Sequence, residues 1–194
     1  MKILDCRGQV CPYPVVEARK LLLAEPGIPV EILVGDDTAR DNITRLATSQ
    51  GYQIAVAPTE GGFALSLTPS ATAAATTTAP AIHGKSVLFL TADTLGQGND
   101  ELGRLLLRNY LFTLTELAAA PDVILLVNAG VKLACAGSEV REALDQLACL
   151  GSDIASCGLC LDFYHLKDQL QVGRVTNMLD IADTLHKTGR IIRP

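Results

Sequence analysis

Two short stretches of the chain contain the residues best suited to chemistry, and both are built around cysteine. The first is Cys11-Pro12-Tyr13-Pro14, close to the N-terminus, and the second is Cys157-Gly158-Leu159-Cys160. A cysteine reacts as its thiolate, either as a nucleophile toward another sulfur or as a metal ligand. What each motif can do therefore depends on how the surrounding elements position its sulfur.

The first motif lies where an amphipathic helix begins. Proline is tolerated in a first helical turn, so Pro12 is predicted as the first helical residue and Cys11 as the N-cap. Because Pro14 lacks an N–H, the N–H of Tyr13 is predicted to face the sulfur. Cysteines at helix N-termini have pKa values lowered from about 8.5 to roughly 3.5–7.5, which predicts a reactive thiolate. The alternative is that the prolines only mark a helix start and that Cys11 is a small buried hydrophobe.

The second motif follows a predicted strand and opens a predicted short helix. A Cys-x-x-Cys in this position lowers a thiol pKa and lets one sulfur resolve a disulfide or persulfide on the other. Cys157 is nearer the strand end and is predicted to be the nucleophile. Two alternatives stay open: an inert packed pair, or half of a zinc site completed by Cys135 and either Cys149 or His165.

The N-terminal elements form one recognisable order. Strand patterns and helical patterns alternate as βαβαββ, with a Gly61-Gly62 turn between the last two strands. This order predicts a two-layer sandwich, with both helices on one face of a four-stranded sheet. Cys11 is then expected in a loop at the sheet edge, near solvent.

A change in composition separates this unit from the rest of the chain. Residues 68–81 contain only Thr, Ala, Pro and Ser, which is too little apolar surface to offset the entropy of ordering. The predicted division is 1–67 for the first domain, 68–83 for a flexible linker and 84–194 for the second domain.

The second domain alternates buried strands with helices. Strand patterns at Val87–Thr91, Val123–Val127, Asp153–Ser156 and Arg190–Ile192 are separated by helical patterns, which predicts a doubly wound, mostly parallel α/β sheet. In such sheets ligands usually sit on the strand-to-helix loops, where Cys157 and Cys160 fall. No nucleotide cofactor is predicted, because Glu101 stands where a dinucleotide-binding loop needs its third glycine.

Composition and charge exclude several classes of protein. The net charge of −5 and the lack of a Lys/Arg cluster argue against nucleic acid as a partner. No signal peptide or membrane-length apolar run is visible, so a cytoplasmic protein without a membrane partner is expected. The three cysteines outside the two motifs are predicted to pack in apolar surroundings: Cys6, Cys135 and Cys149.

Sequence motifs in both halves also carry a family resemblance. Leu4-Asp5-x-x-Gly8 followed by Cys11-Pro12-x-Pro14 resembles the TusA/SirA persulfide carriers. Leu95-Gly96-Gln97-Gly98-x-x-Glu101-Leu102-Gly103 and Ser156-Cys157-Gly158-x-Cys160-Leu161 resemble DsrE-like sulfur-relay domains. The two together look like the YedF family of sulfurtransferase-like selenium-metabolism proteins.

This resemblance implies a function that the motifs alone leave open. Cys11 would carry sulfane sulfur or reduced selenium, and Cys157 and Cys160 would form a second relay site, with no metal or cofactor. The implied partners are a donor such as a cysteine desulfurase, an acceptor protein and further copies of the chain bound through residues 84–194. Two other functions remain compatible with the residues: a metal-binding or regulatory adaptor without turnover, and a dithiol oxidoreductase using Cys157 and Cys160 alone.

Overall fold

In the computed structural model, residues 2–10, 12–70 and 84–194 are described. The chain divides into two compact units, Met1–Ala79 and Pro80–Pro194. The N-terminal unit contains, in order, β1 (Lys2–Asp5), α1 (Tyr13–Ala24), β2 (Val30–Val34), α2 (Asp37–Ser49), β3 (Tyr52–Thr59) and β4 (Gly62–Pro69).

The N-terminal unit has the predicted two-layer architecture. Its strands are ordered β1-β2-β4-β3, with β1 and β2 parallel and the other two pairs antiparallel. Alternate residues of β2 are buried, and Ile32 packs in one core with Leu22 of α1 and Ile43 of α2. Since both helices contribute to this core, the prediction of two helices on one sheet face is confirmed.

The last strand of this unit runs further than the sequence indicated. Thr68 and Pro69 belong to β4 and pair with Gln53 and Tyr52 of β3, although the linker was predicted to begin at Thr68. The strand continues because its partner β3 is long enough to pair with these residues. Most of the predicted linker, residues 71–83, lies outside the described residues.

The C-terminal unit contains a five-stranded, fully parallel sheet, whose strands lie side by side in the order Arg174–Thr176, Asp153–Cys157, Val123–Leu126, Ser86–Leu90 and Arg190–Ile192. The predicted doubly wound parallel sheet is therefore confirmed. Two short 3₁₀ helices, Asn128–Ala134 and Lys167–Gln169, also occur. The strands and α-helices are β5 (Ser86–Leu90), α3 (Asp100–Thr115), β6 (Val123–Leu126), α4 (Arg141–Cys149), β7 (Asp153–Cys157), α5 (Gly158–Phe163), β8 (Arg174–Thr176), α6 (Met178–Lys187) and β9 (Arg190–Ile192).

This strand order determines which helices cover each face of the sheet and which segments meet at its carboxyl edge. Parallel crossovers are right-handed, so α3 and α4 cover one face, and α6, which returns the chain to β9, covers the other. The segments that follow β5, β6 and β7 therefore meet at one carboxyl edge. That edge is where open α/β sheets usually bind ligands.

Edge strand β8 was not foreseen from sequence. It is only three residues long, and Thr176 alone among them is buried. Arg174 fixes it by bonding Asp153 of β7 at 2.8 Å and Asp180 of α6 at 3.1 Å. The hydrogen bond from Thr176 and the Arg174 guanidinium lower the pKa of the Asp180 carboxyl.

Candidate functional site

The helix start that follows the first motif differs from the prediction by one residue. Helix α1 begins at Tyr13 with Pro12 as its N-cap, so the N-cap prediction for Cys11 is wrong. The Pro12 carbonyl accepts the N–H groups of Val15 and Val16, at 3.1 and 3.2 Å. Proline serves here because a cap residue needs no hydrogen-bonded N–H of its own.

The backbone donor predicted to face the sulfur is used elsewhere. The N–H of Tyr13 donates to the carbonyl of Val10 at 3.1 Å, which closes a turn into the helix. Cys11 itself lies outside the described residues. Its role as the carrier thiol is therefore still a prediction from the sequence.

Cys6, the other cysteine of this unit, is a core residue as predicted. It is 1% exposed and packs with Ala18 and Leu22 of α1. Burial, with smaller contributions from the charges of Glu17 and Asp5, raises the pKa of the Cys6 thiol to about 11. Cys6 is therefore protonated and inaccessible in the folded chain.

The second motif lies at the junction of β7 and α5. Cys157 is the last residue of β7 and the N-cap of α5, but its thiol makes no capping hydrogen bond. It is 1% exposed, whereas Cys160 is only partly buried. The prediction that Cys157 is the nucleophile is therefore not favoured by the geometry, because the accessible thiol is that of Cys160.

A glycine lets the motif approach the neighbouring strand. A Cβ atom on Gly158 would lie 3.1 Å from Val175 Cγ1 and 3.3 Å from the Thr176 carbonyl oxygen of β8. These distances are tighter than ordinary van der Waals contact. Gly158 therefore allows α5 to start directly against the edge of the sheet.

The sulfur of Cys160 is held by the backbone of another loop. The N–H of Asn128, just after β6, donates to Cys160 Sγ at 3.1 Å. Asn128 has a φ of +53°, a left-handed conformation that asparagine adopts more readily than most residues. Its side chain is fixed in turn, because the Tyr164 hydroxyl donates to Asn128 Oδ1 at 2.9 Å.

Glycine also determines where Asn128 lies. A Cβ atom on Gly130 would be only 2.4 Å from the carbonyl oxygen of Leu90, so no larger residue fits without a backbone shift. Gly130 thus seats the 3₁₀ helix that begins at Asn128 against the end of β5. Neither Asn128 nor Tyr164 was singled out from sequence, although an asparagine directly after a strand and two residues before a glycine is a weak sign of such a turn.

The acidity of Cys160 is opposite to the prediction for a Cys-x-x-Cys motif. Burial raises the pKa of the Cys160 thiol above its usual 9.0. The Asn128 N–H opposes this effect by favouring the thiolate, while the neighbouring Cys157 thiol raises the pKa further. With no thiol capping α5, the helix start does not outweigh burial.

The remaining cysteines do not join the pair. Cys135 is 1% exposed, and its thiol donates to the Val131 carbonyl at 3.2 Å, as expected for a packed residue. Cys149 is exposed at the end of α4, so the prediction that it packs in apolar surroundings is wrong. Among the described residues, no group of three or more His, Cys, Asp or Glu side chains is arranged to hold a metal. The described cysteines are all free thiols.

Within the described ranges, no helix is both long and apolar enough to cross a membrane.

Comparison with known proteins identifies the N-terminal unit. Residues 2–68 match the family model described as Sulfurtransferase TusA. The chain is also 36% identical, over 58 residues, to the "Putative sulfur carrier protein MJ0990" of Methanocaldococcus jannaschii. That alignment covers 29% of this chain and 77% of the archaeal protein.

Solved structures resemble parts of the chain. The SirA-like protein from Desulfitobacterium hafniense is matched over 100% of its own length and 36% of this chain, with 34% identity and a TM-score of 0.33. The ychN protein from E. coli is matched over 98% of its length and 57% of this chain, with 13% identity and a TM-score of 0.45. The family model falls on the unit that contains Cys11, and the chain belongs to the TusA family of sulfurtransferase proteins.

Proposed function

We propose that the chain is a sulfur carrier that holds sulfane sulfur as a persulfide on Cys11. The observation that carries this proposal is the TusA match over residues 2–68, a range that contains Cys11-Pro12-x-Pro14. The archaeal relative, which is named as a sulfur carrier, supports the same role. In the loading step the Cys11 thiolate attacks a donor's sulfane sulfur. The donor's sulfur–sulfur bond breaks, a new one forms to Cys11, and the donor leaves as a thiolate.

The Cys157/Cys160 loop is proposed as a second relay site. Cys160 is its accessible thiol, and the Asn128 N–H at 3.1 Å from Sγ stabilises negative charge on that sulfur. A Cys160 thiolate attacking the outer sulfur of a Cys11 persulfide would become the persulfide and leave Cys11 as a thiolate. Cys157, next to Cys160, can then displace the outer sulfur as hydrosulfide and form a disulfide with Cys160.

The raised pKa of Cys160 favours loading of Cys11 before Cys160 by a protein donor. At neutral pH the free Cys160 is mostly protonated, so it does not compete with Cys11 for a protein donor. It reacts when its proton is removed, and the Asn128 N–H then holds the anion. Under this proposal sulfur from a protein donor enters at Cys11, and Cys160 receives it afterwards.

The wider assignment follows the resemblance of the two sequence motifs. Residues 84–194 are proposed to be a DsrE-like domain and residues 68–83 a linker, as in the YedF family, with reduced selenium as an alternative cargo. A cysteine desulfurase is the proposed donor, an acceptor protein receives the sulfur, and residues 84–194 are proposed to bind further copies of the chain. A cytoplasmic location fits this function, because thiols stay reduced there.

A dithiol oxidoreductase is the second candidate function. It is favoured by one observation: Cys157 and Cys160 are free thiols three positions apart at a strand–helix junction, where the Cys157 thiol helps to raise the pKa of Cys160. An oxidoreductase of this kind would cycle between dithiol and disulfide without keeping an extra sulfur atom.

Mass spectrometry of the native chain separates the two functions. After incubation with a cysteine desulfurase and cysteine, the carrier proposal expects one extra sulfur atom on the Cys11 peptide, removed by a reductant. Cys11→Ser should lose this gain, whereas Cys149→Ser, which removes an exposed thiol outside both motifs, should keep it. A chain that never gains sulfur but forms a Cys157–Cys160 disulfide would be an oxidoreductase.

A further inference from the structure

A groove at the carboxyl edge of the C-terminal sheet lies beside the Cys160 loop. It has a volume of about 460 Å³, within the range of small-molecule sites. Its walls come from segments that follow three successive strands: Asp93 after β5, Lys132 after β6, and Tyr164 after β7. The groove thus occupies the position at which open parallel sheets commonly bind ligands.

Positive charge collects in this groove although the chain as a whole is acidic. Arg104 and Arg108 are one turn apart on α3 and lie on the same side of the helix. Lys132 supplies a third cation from the facing 3₁₀ helix. Three cations therefore face two carboxylates, in a chain whose net charge is −5.

The charge pairs in the groove are weak enough to be replaced by a ligand. Arg108 Nη1 lies 3.3 Å from Glu139 Oε2, and Lys132 Nζ lies 3.5 Å from Asp93 Oδ2. All four side chains are partly or largely exposed to solvent. Exposed pairs of this kind contribute only about 0–1 kcal/mol. Arg104 has no ion-pair partner in the part of the chain that the structure describes, so it is available to an anion.

Tyr164 links the groove to the reactive thiol. Its ring forms part of the wall and lies 4.9 Å from the Lys132 ammonium group. Its hydroxyl donates a hydrogen bond to Asn128 Oδ1, and the Asn128 N–H donates to Cys160 Sγ. Cys135 also lies in the wall, but its thiol is buried and bonded to a carbonyl, so Cys160 is the thiol available for reaction.

We propose that this groove binds a low-molecular-weight thiol that carries carboxylates and presents its persulfide form to Cys160. The proposal rests on the sulfur-relay function proposed for Cys160. Arginine pairs with carboxylates through two parallel hydrogen bonds, which suits Arg104 and Arg108. The volume and the apolar part of the wall, including Val140 and Leu166, favour an organic anion over a compact inorganic one.

The transfer step balances without any other reactant. Cys160 loses its proton and attacks the outer sulfur of the bound persulfide. The ligand's sulfur–sulfur bond breaks as a new bond forms to Cys160 Sγ. The ligand leaves as a thiolate that takes up the released proton. The ligand persulfide thus becomes a thiol, and the Cys160 thiol becomes a persulfide.

Binding can be tested without sulfur transfer by using S-methylglutathione, a tripeptide thioether with two carboxylates that cannot react. We expect titration into the full chain to shift the backbone amide signals of Lys132, Gly137 and Tyr164. Arg104→Ala should weaken binding about tenfold, as expected for loss of a charge-assisted pair. The matched control is Arg45→Ala, which removes an exposed helical arginine of the N-terminal unit and should leave binding unchanged.

The outcomes also separate this proposal from the relay itself. No signal shifts at millimolar probe, an equal effect of Arg104→Ala and Arg45→Ala, or equally strong binding of inorganic sulfate would each overturn the groove assignment. Because the probe transfers no sulfur, its binding does not depend on the chemistry of Cys160. Loading of Cys160 by glutathione persulfide, measured in Cys11→Ser and in Cys11→Ser with Arg104→Ala, tests the transfer separately. A loss of at least fivefold in the double variant is expected, and equal loading would contradict a productive groove.

Discussion

In each unit a buried cysteine lies at or just after the end of a strand, and a second cysteine follows it in the sequence at a different spacing. In the N-terminal unit Cys6 follows β1 and is separated by five positions from Cys11, whereas Cys157 ends β7 three positions before Cys160. Cys6 and Cys157 are each 1% exposed. Cys6 packs among helix residues of the core, while the Cys157 thiol helps to raise the pKa of Cys160.

Under the proposed relay, this difference corresponds to two uses of a thiol. In the N-terminal unit the strand-end thiol, Cys6, is buried in the core and cannot attack a persulfide on a neighbouring cysteine. Such an arrangement suits a carrier that must keep its persulfide intact. A motif whose two thiols interact can release or resolve the sulfur it receives.

Removing either cysteine of the C-terminal pair should have unequal effects. Cys160→Ser should abolish alkylation at this motif, because Cys157 is buried, whereas Cys157→Ser should leave alkylation of Cys160 in place. Both variants should lose the Cys157–Cys160 disulfide that is expected to form under mild oxidant. Peptide mapping after brief treatment with iodoacetamide measures both properties, and labelling of Cys157 as fast as Cys160 would contradict the assignment.

Gly130→Ala should disturb the loop that holds Cys160. Its Cβ would meet the Leu90 carbonyl at 2.4 Å, so the backbone must shift, at a cost of about 1–3 kcal/mol in the free energy of unfolding. The shift should also move the Asn128 N–H and slow alkylation of Cys160. Gly35→Ala is the control, because the nearest atom to its Cβ would lie at 3.5 Å. Equal denaturation midpoints for the two variants would show that Gly130 is not constrained in this way.

Tyr164→Phe should weaken the hold on the thiolate without unfolding the chain. The variant removes the hydrogen bond to Asn128 Oδ1, worth about 0.5–1.5 kcal/mol, so alkylation of Cys160 should slow by roughly twofold to tenfold. The pH profile should shift to higher pH. In the other unit, Tyr52→Phe removes a hydroxyl that accepts a hydrogen bond from the Gly27 N–H. This control should leave the pH profile of Cys160 alkylation unchanged. A profile unaffected by Tyr164→Phe would leave Tyr164 without a role in positioning.

The pH dependence of the unaltered Cys160 gives the smallest effect. Its folded-state pKa is raised, so the thiolate fraction is low at neutral pH and grows as pH rises past 9. Alkylation measured in a Cys149→Ser chain should therefore still be increasing at pH 9. A plateau below pH 8 would mean that the Asn128 N–H outweighs burial. Cys6, with a pKa of about 11, should stay unlabelled over the same range.

Local patterns predicted the elements but not all of the contacts that make the site. The element order βαβαββ and the helix start that follows Cys157 depend on residues within one turn of one another. Asn128 and Tyr164 act on Cys160 through contacts between separate loops, which no local period encodes. The helix start after Cys11 was misplaced by one residue, because the sequence does not show whether Pro12 is the cap or the first helical residue.

The raised pKa of Cys160 could not be predicted from the sequence either. A Cys-x-x-Cys at a helix start predicts a low pKa only if the helix N–H groups reach the sulfur. Here α5 is a six-residue helix whose cap thiol accepts none of them, and burial has the larger effect. The depth at which a thiol lies depends on packing across the sheet, which is set by the whole unit.

The most direct test of the account follows sulfur from one unit to the other in the full-length chain. A Cys157→Ser chain, which cannot resolve a persulfide on Cys160, is incubated with a cysteine desulfurase and cysteine, and its peptides are mapped over time. The account predicts one extra sulfur atom first on the Cys11 peptide and then on the Cys160 peptide. It also predicts that Cys11→Ser in the same background lowers the gain at Cys160 at least tenfold. A gain at Cys160 that is equally fast without Cys11, or the absence of any gain at Cys11, would contradict the account.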